Sequence, residues 1–171
     1  NLSQYSVVLL ANVSGFDEAT ASDIREFVKR GGGLVIFSGD YVRPEEYNVV
    51  FDTGETQSLM PCTLIGLKNY ESEEDFPGFE PTDWEHGIFS GLKDVRDVAF
   101  DSTRFSKIMV CENDRNDRSV SVLGRFSNGL PALVERKFGA GSVIFFASTC
   151  DREWTNFPLR PVFLPVMHQV V

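Results

Sequence analysis

The sequence predicts an α/β fold: a three-layer sandwich with a mostly parallel central sheet, helices on both of its faces and an antiparallel β extension. Three observations point to it. Residues 5–11, 34–37 and 143–147 are short apolar runs, as expected of strands covered on both faces. The first two flank a segment of helical periodicity, which makes a βαβ unit and therefore a right-handed parallel crossover. Residues 98–138 then turn to β-rich patterning broken by tight-turn signals.

Taken in order, residues 5–11 form the first strand and residues 12–16 a loop. Asp17 follows with a side-chain oxygen suited to the orphan N–H groups of a helix start. Ala21, Ile24, Phe27 and Val28 recur at helical spacing, with Asp23, Arg25, Glu26, Lys29 and Arg30 on the other faces. Gly31, Gly32 and Gly33 end the helix, because glycine takes the left-handed cap conformation without a Cβ clash. Residues 34–37 form the second strand, tipped by Ser38, Gly39 and Asp40. Residues 44–51 suit a short helix with Pro44 in its first turn.

Beyond it, residues 52–58 read as a polar loop, 59–67 as a strand and 71–85 as an exposed acidic loop. Strands are expected at 98–100, 105–111, 120–126 and 132–138, with a loop at 112–118. Asn128-Gly129 accepts the positive φ angles of a hairpin turn, and residues 138–141 supply a second one. Residues 143–147 form the third buried strand, expected beside the first two as in flavodoxin-like and Rossmann-like sandwiches. Residues 161–171 close the chain as an apolar helix docked through Phe163, Leu164, Met167 and Val171.

A chain of 171 residues, 42% hydrophobic, supports one domain over 1–171 with a sizeable core. Its two ends, Asn1 and Val171, read as those of a domain excised from a longer protein. The net charge of −9 argues against a nucleic-acid partner, since phosphate contacts need clustered Lys and Arg. Cys62, Cys111 and Cys150 lack metal-ligand spacing and do not suggest a disulfide scaffold. No apolar run approaches the ~20 residues of a membrane-spanning helix, so this segment is not expected to insert directly. No Walker or GxGxxG glycine pattern occurs, so no cofactor is expected.

Open α/β folds place their chemistry at the carboxyl ends of the strands. There the sequence offers Ser38 and Asp40 after one strand, and Thr149, Cys150, Asp151, Arg152 and Glu153 after another. Ser38 would serve as a nucleophile if His86 or His168 folded against it, with Asp40 or Asp151 orienting the imidazole. The plainer reading makes Ser38 a strand-end hydroxyl bonded to backbone. His86, beside Asp83 and Glu85, could act as a base or ligand, or fix a loop by hydrogen bonds. Cys150 near Arg152 could be reactive or simply packed. Arg152 could hold a ligand carboxylate or phosphate, or bridge Asp151 and Glu153. Trp154, with Phe157 and Pro158, reads as a clasp on the final helix.

Several segments resemble a known family. The run from Gly31 to Ile36 after a helix, residues 85–89, the turn at 136–141 and the closing strand and helix resemble the class I glutamine amidotransferase-like fold, which includes trehalose-utilisation-type proteins. Residues 151–161 are similar to a subset found in bacterial membrane proteins of the aerotolerance-operon type. There such a domain lies downstream of a von Willebrand factor A domain. Active members of the family carry a nucleophilic cysteine after a central strand, and a histidine with a glutamate after a later one. Here those positions fall at Ser38-Gly39-Asp40 and near Cys150-Asp151, without the cysteine or the histidine.

The resemblance therefore implies a non-catalytic module that contacts other domains of its own chain or an envelope complex. It would sit on the bacterial envelope as the soluble domain of a membrane protein. Two alternatives stay open. One is a hydrolase or transferase with a replaced nucleophile, using Ser38, Asp40, His86 and Asp151. The other is a small-ligand, sugar-like binding domain that uses Asp40, Arg152, Glu153 and Trp154.

Overall fold

Asp17 opens the first helix as its residue type dictates. Its Oδ1 accepts the Thr20 N–H at 2.7 Å, and the bonds from Thr20 hold its carboxyl below the usual carboxylate range. The computed structural model describes residues 2–52, 54 and 57–170. Its strands are β1 (Val7–Ala11), β2 (Gly33–Phe37), β3 (Thr63–Asn69), β4 (Phe79–Pro81), β5 (Lys107–Glu112), β6 (Val120–Phe126), β7 (Pro131–Phe138) and β8 (Gly141–Phe146). Its α-helices are α1 (Glu18–Lys29), α2 (Pro44–Val50) and α3 (Phe163–Val170).

Six strands make one sheet in the order β1-β2-β8-β7-β6-β4, while β3 and β5 form a separate antiparallel ribbon. The three apolar runs are neighbours: β2 lies between β1 and β8 and is parallel to both. Every other pairing in the sheet is antiparallel. This corrects the expected fold class. The sheet is mixed, with most pairings antiparallel, and is not the mostly parallel, helix-rich sheet of a flavodoxin-like or Rossmann-like sandwich. The reason lies in two tight turns. Gly129 (φ 86°) joins β6 to β7 and Gly139 (φ 59°) joins β7 to β8, and connections that short link only antiparallel neighbours. Two strands that the sequence assigns to an extension, β6 and β7, thus belong to the main sheet.

Both faces of the central strands are covered, which explains why their sequences are apolar throughout. On one face Leu34, Ile36, Val143 and Phe145 pack with Ala21, Ile24 and Val28 of α1 and with Ile108 and Met109 of the ribbon. On the other, Val35, Phe37, Ile144 and Phe146 pack with Ile88, Phe89 and Leu92 of the 3-10 segment Gly87–Val95 and with Val166 of α3. The turn at Gly141 is pressed against the end of α1. A Cβ there would sit 2.2 Å from the Gly32 carbonyl oxygen and 2.3 Å from that of Val28.

Strand β7 carries two buried charges side by side. Arg136 points to the α1 side, where Nε donates to the Met60 carbonyl at 3.0 Å and Nη1 lies 2.8 Å from Asp117 Oδ2. Glu135 points to the opposite side, where Lys137 Nζ lies 2.7 Å from Oε1 and His86 Nε2 lies 3.4 Å from Oε2.

Other local expectations change. Residues 98–100 form turns, the strand expected at 59–67 begins at Thr63, and the acidic loop contains the edge strand β4, where Pro81 is tolerated. Helix α3 docks through Val166 and Val170, whereas Leu164 is exposed. Val171 and three positions of the 52–58 loop (53, 55 and 56) lie outside the described residues. Trp154 packs in the α1-side core and does not clasp the final helix; Phe157 meets Phe163 edge-on at 5.1 Å instead.

Candidate functional site

Strands β1, β2 and β8 run in parallel and end at one edge of the sheet, and the candidate side chains stand along it. Ser38, at the tip of β2, is wholly buried. Its N–H donates to the Phe146 carbonyl at 3.2 Å, but its Oγ has no hydrogen-bond partner among the described residues. Gly39 is clamped against Asn12, since a Cβ there would fall 2.1 Å from Asn12 Cγ. Asn12 itself takes a left-handed conformation (φ 52°), and its Oδ1 accepts the Tyr41 N–H at 2.8 Å. The tip of β2 is thus closed by backbone and amide contacts.

Asp40 turns away from Ser38's burial site and pairs with Lys107 of β5, at 2.7 Å. The same Lys107 Nζ lies 5.2 Å from the centroid of the Trp154 ring. Asp151 is exposed and closes a local turn: its Oδ1 accepts the Glu153 N–H at 2.9 Å, and its carbonyl accepts Thr149 Oγ1 at 3.4 Å. Cys150 is half-buried, and burial, then the Asp151 charge, pushes its thiol pKa up, away from the reactive thiolate.

The histidines are placed elsewhere. His86 caps the 3-10 segment, its Nδ1 accepting the Ile88 N–H at 3.3 Å, so in the neutral ring Nε2 carries the proton toward Glu135. His168 is exposed on α3. Neither ring is bonded to Ser38, Cys150, Asp40 or Asp151. A nucleophile needs its base within about 2.6–3.2 Å or one water away, and among the described residues no such hydrogen-bonded pair stands at this edge. Among the described residues no group of three or more His, Cys, Asp or Glu is placed to hold a metal ion.

The structure does bring Trp154 and Arg152 together, in a groove of about 470 Å³ beyond the strand ends. Arg104, Phe76, Leu159 and Glu73 are among the other residues of its wall. Glu153 is exposed beside it and does not line it. Sequence reasoning missed Arg104 and Lys107. Lys107 carries a faint signal, a lone base at the head of an apolar strand; Arg104 carries none, because only folding brings residue 104 beside residue 152.

No family model matches the chain, and no curated protein matches it. Solved structures do. The cytoplasmic protein STM3548 from Salmonella typhimurium is 17% identical with a TM-score of 0.72, over 98% of this chain and 71% of that one. The cytoplasmic protein STM1381 from Salmonella typhimurium LT2 is 18% identical with a TM-score of 0.66, over 99% and 69%. A β-galactosidase from Rahnella sp. R3 is 13% identical with a TM-score of 0.67; the match takes in 98% of this chain but 23% of the enzyme. At these identities the likeness is one of fold alone.

The matches overturn the resemblance to glutamine amidotransferase-like domains. The similar folds belong to cytoplasmic proteins and to part of β-galactosidase chains, and the link to von Willebrand factor A domains and aerotolerance-type membrane proteins falls with it. No helix among the described residues is long and apolar enough to cross a membrane.

Proposed function

We propose that this chain is a non-catalytic interaction domain that packs against other domains of a larger protein. The observation that carries the reading is the state of Ser38: fully buried, and bonded to no base. Cys150, with its raised thiol pKa, is no better placed to attack a substrate. Support for a modular role comes from the Rahnella β-galactosidase, in which a similar fold makes up about a quarter of a larger chain.

The contact surface is the outer edge of β3. That strand pairs only with β5 among the described residues, and Asn48 closes its other edge at Leu64 by bonding both backbone groups there. Beyond Leu64 the edge is open and carries Ile65 and Leu67, 55% and 43% exposed. Attachment to the bacterial envelope is the finer part of the proposal; an anchor would have to lie elsewhere in the parent chain. Fractionating cells that make the full-length parent checks that part.

Two measurements test the domain's role. Ester and amide substrates are offered to the protein beside Ser38→Ala and Cys150→Ser; turnover that vanishes in either variant overturns the non-catalytic reading. Hydrogen exchange at residues 65–69 is compared between the isolated chain and the full-length parent. Slower exchange in the parent, reversed by Leu67→Lys, is the expected result, and equal exchange in both removes β3 as the contact.

A further inference from the structure

We propose that the groove beside Trp154 is a binding site for a small monocarboxylate. The proposal goes beyond the interaction-domain reading and does not depend on it.

The groove is rich in donors that lack acceptors. Arg152 lines it and makes no hydrogen bond or ion pair among the described residues. Arg104 lines it too, and spends only Nη1 on the Asp101 and Thr103 carbonyls, at 2.7 and 2.8 Å, leaving the rest of its fork without a carboxylate. Trp154 is 1% exposed, and its Nε1 is buried with no acceptor among the described residues. Guanidinium and indole N–H groups are donors only. A buried N–H left unpaired costs about 1–3 kcal/mol, so an acceptor arriving beside it gains more than one on open surface.

The chemistry selects the ligand class. Two guanidiniums around one cleft match the planar, bidentate demand of a carboxylate. A dianion is disfavoured, because Glu73 shares the wall and Asp151 and Glu153 stand exposed beside Arg152 in a chain of net charge −9. Phe76 and Leu159 give the ligand body an apolar wall, and a volume of about 470 Å³ suits a single ring. Lys107 already covers the face of Trp154, so the indole is not a stacking platform.

The test is calorimetric titration of the protein with glucuronate, benzoate, glucose and inorganic phosphate, at low salt and at 0.15 M. Binding of at least one of the two carboxylates, with no binding of glucose and weaker binding of phosphate, is expected. Arg104→Gln and Arg152→Gln should each weaken it at least tenfold. Both side chains are exposed, so thermal unfolding should confirm that the variants keep the fold. Failure of both carboxylates at millimolar concentration overturns the proposal. So does tighter binding of phosphate, or affinity that survives both substitutions.

Discussion

Asp40 Oδ1 lies 2.7 Å from Lys107 Nζ, 67 residues further along the chain. The pair ties the tip of β2 to the head of β5, and so fastens the ribbon to the main sheet. An acid that sequence reasoning offers to catalysis is engaged in holding two layers together. Because the Asp40 side chain is 48% exposed, the pair contributes as surface pairs do. Asp40→Asn should lower stability by less than about 1 kcal/mol. Chemical denaturation in low and high salt checks this, with the difference expected to shrink as salt rises.

Ser38 should behave in the opposite sense. Its hydroxyl is buried without a partner among the described residues, a loss the folded state carries and the unfolded state does not. Ser38→Ala removes the unpaired group with little change in volume, and should raise stability by about 1 kcal/mol. The midpoint of urea unfolding reads it directly. A lower midpoint would mean that the hydroxyl has a partner in solution.

Thiol labelling should separate the cysteines. Cys62 and Cys111 are buried in mutual contact, and burial, then the bond to Cys111, raises the Cys62 thiol well above its ordinary value. Cys150 alone should react under native conditions near neutral pH, more slowly than a free thiol. The other two should react only on unfolding. Asp151→Asn removes a charge that raises the Cys150 pKa, so labelling there should speed up several-fold.

Acid should loosen the contact between residues 117 and 136. The Ser119 hydroxyl, followed by its backbone N–H and Arg136, holds the Asp117 carboxyl below the usual range. A carboxyl depressed on folding contributes stability that is fully present above its unfolded pKa, about 3.9, and is lost as pH falls through the folded value. Asp117→Asn should therefore flatten the loss of stability below about pH 4, and at neutral pH should cost about 2–3 kcal/mol by leaving buried Arg136 without its anion. Denaturation curves at a series of pH values read both effects.

Much of the local structure was legible in the chain, and its assembly was not. Asp17, the helical spacing of Ile24, Phe27 and Val28, and the glycines after them mark α1 because each acts on its near neighbours. The same holds for the turn at Asn128 and Gly129. Sheet direction depends on how many strands the hairpins feed into the main sheet, and counting 98–138 as an appendage gave the wrong proportion of parallel pairings. The site was harder still. Arg152 and Trp154 were visible as polar and aromatic residues past a strand end, but Arg104 joins them in one groove, and Lys107 reaches the Trp154 ring, only once the chain has folded.

The neighbours Glu135 and Arg136 have a consequence for how β7 is laid down. Side chains alternate along a strand, so a shift of one residue against β8 exchanges the two faces. In the shifted pairing Glu135 would face Asp117 and the Met60 carbonyl oxygen, acid against acceptors, while Arg136 would face His86. Glu135 would then stand as an acceptor among acceptors, and Arg136 as a donor against the Nε2–H of His86, with little water to satisfy either. Two adjacent residues of opposite sign therefore act as a key that makes the shifted alignment of β7 costly.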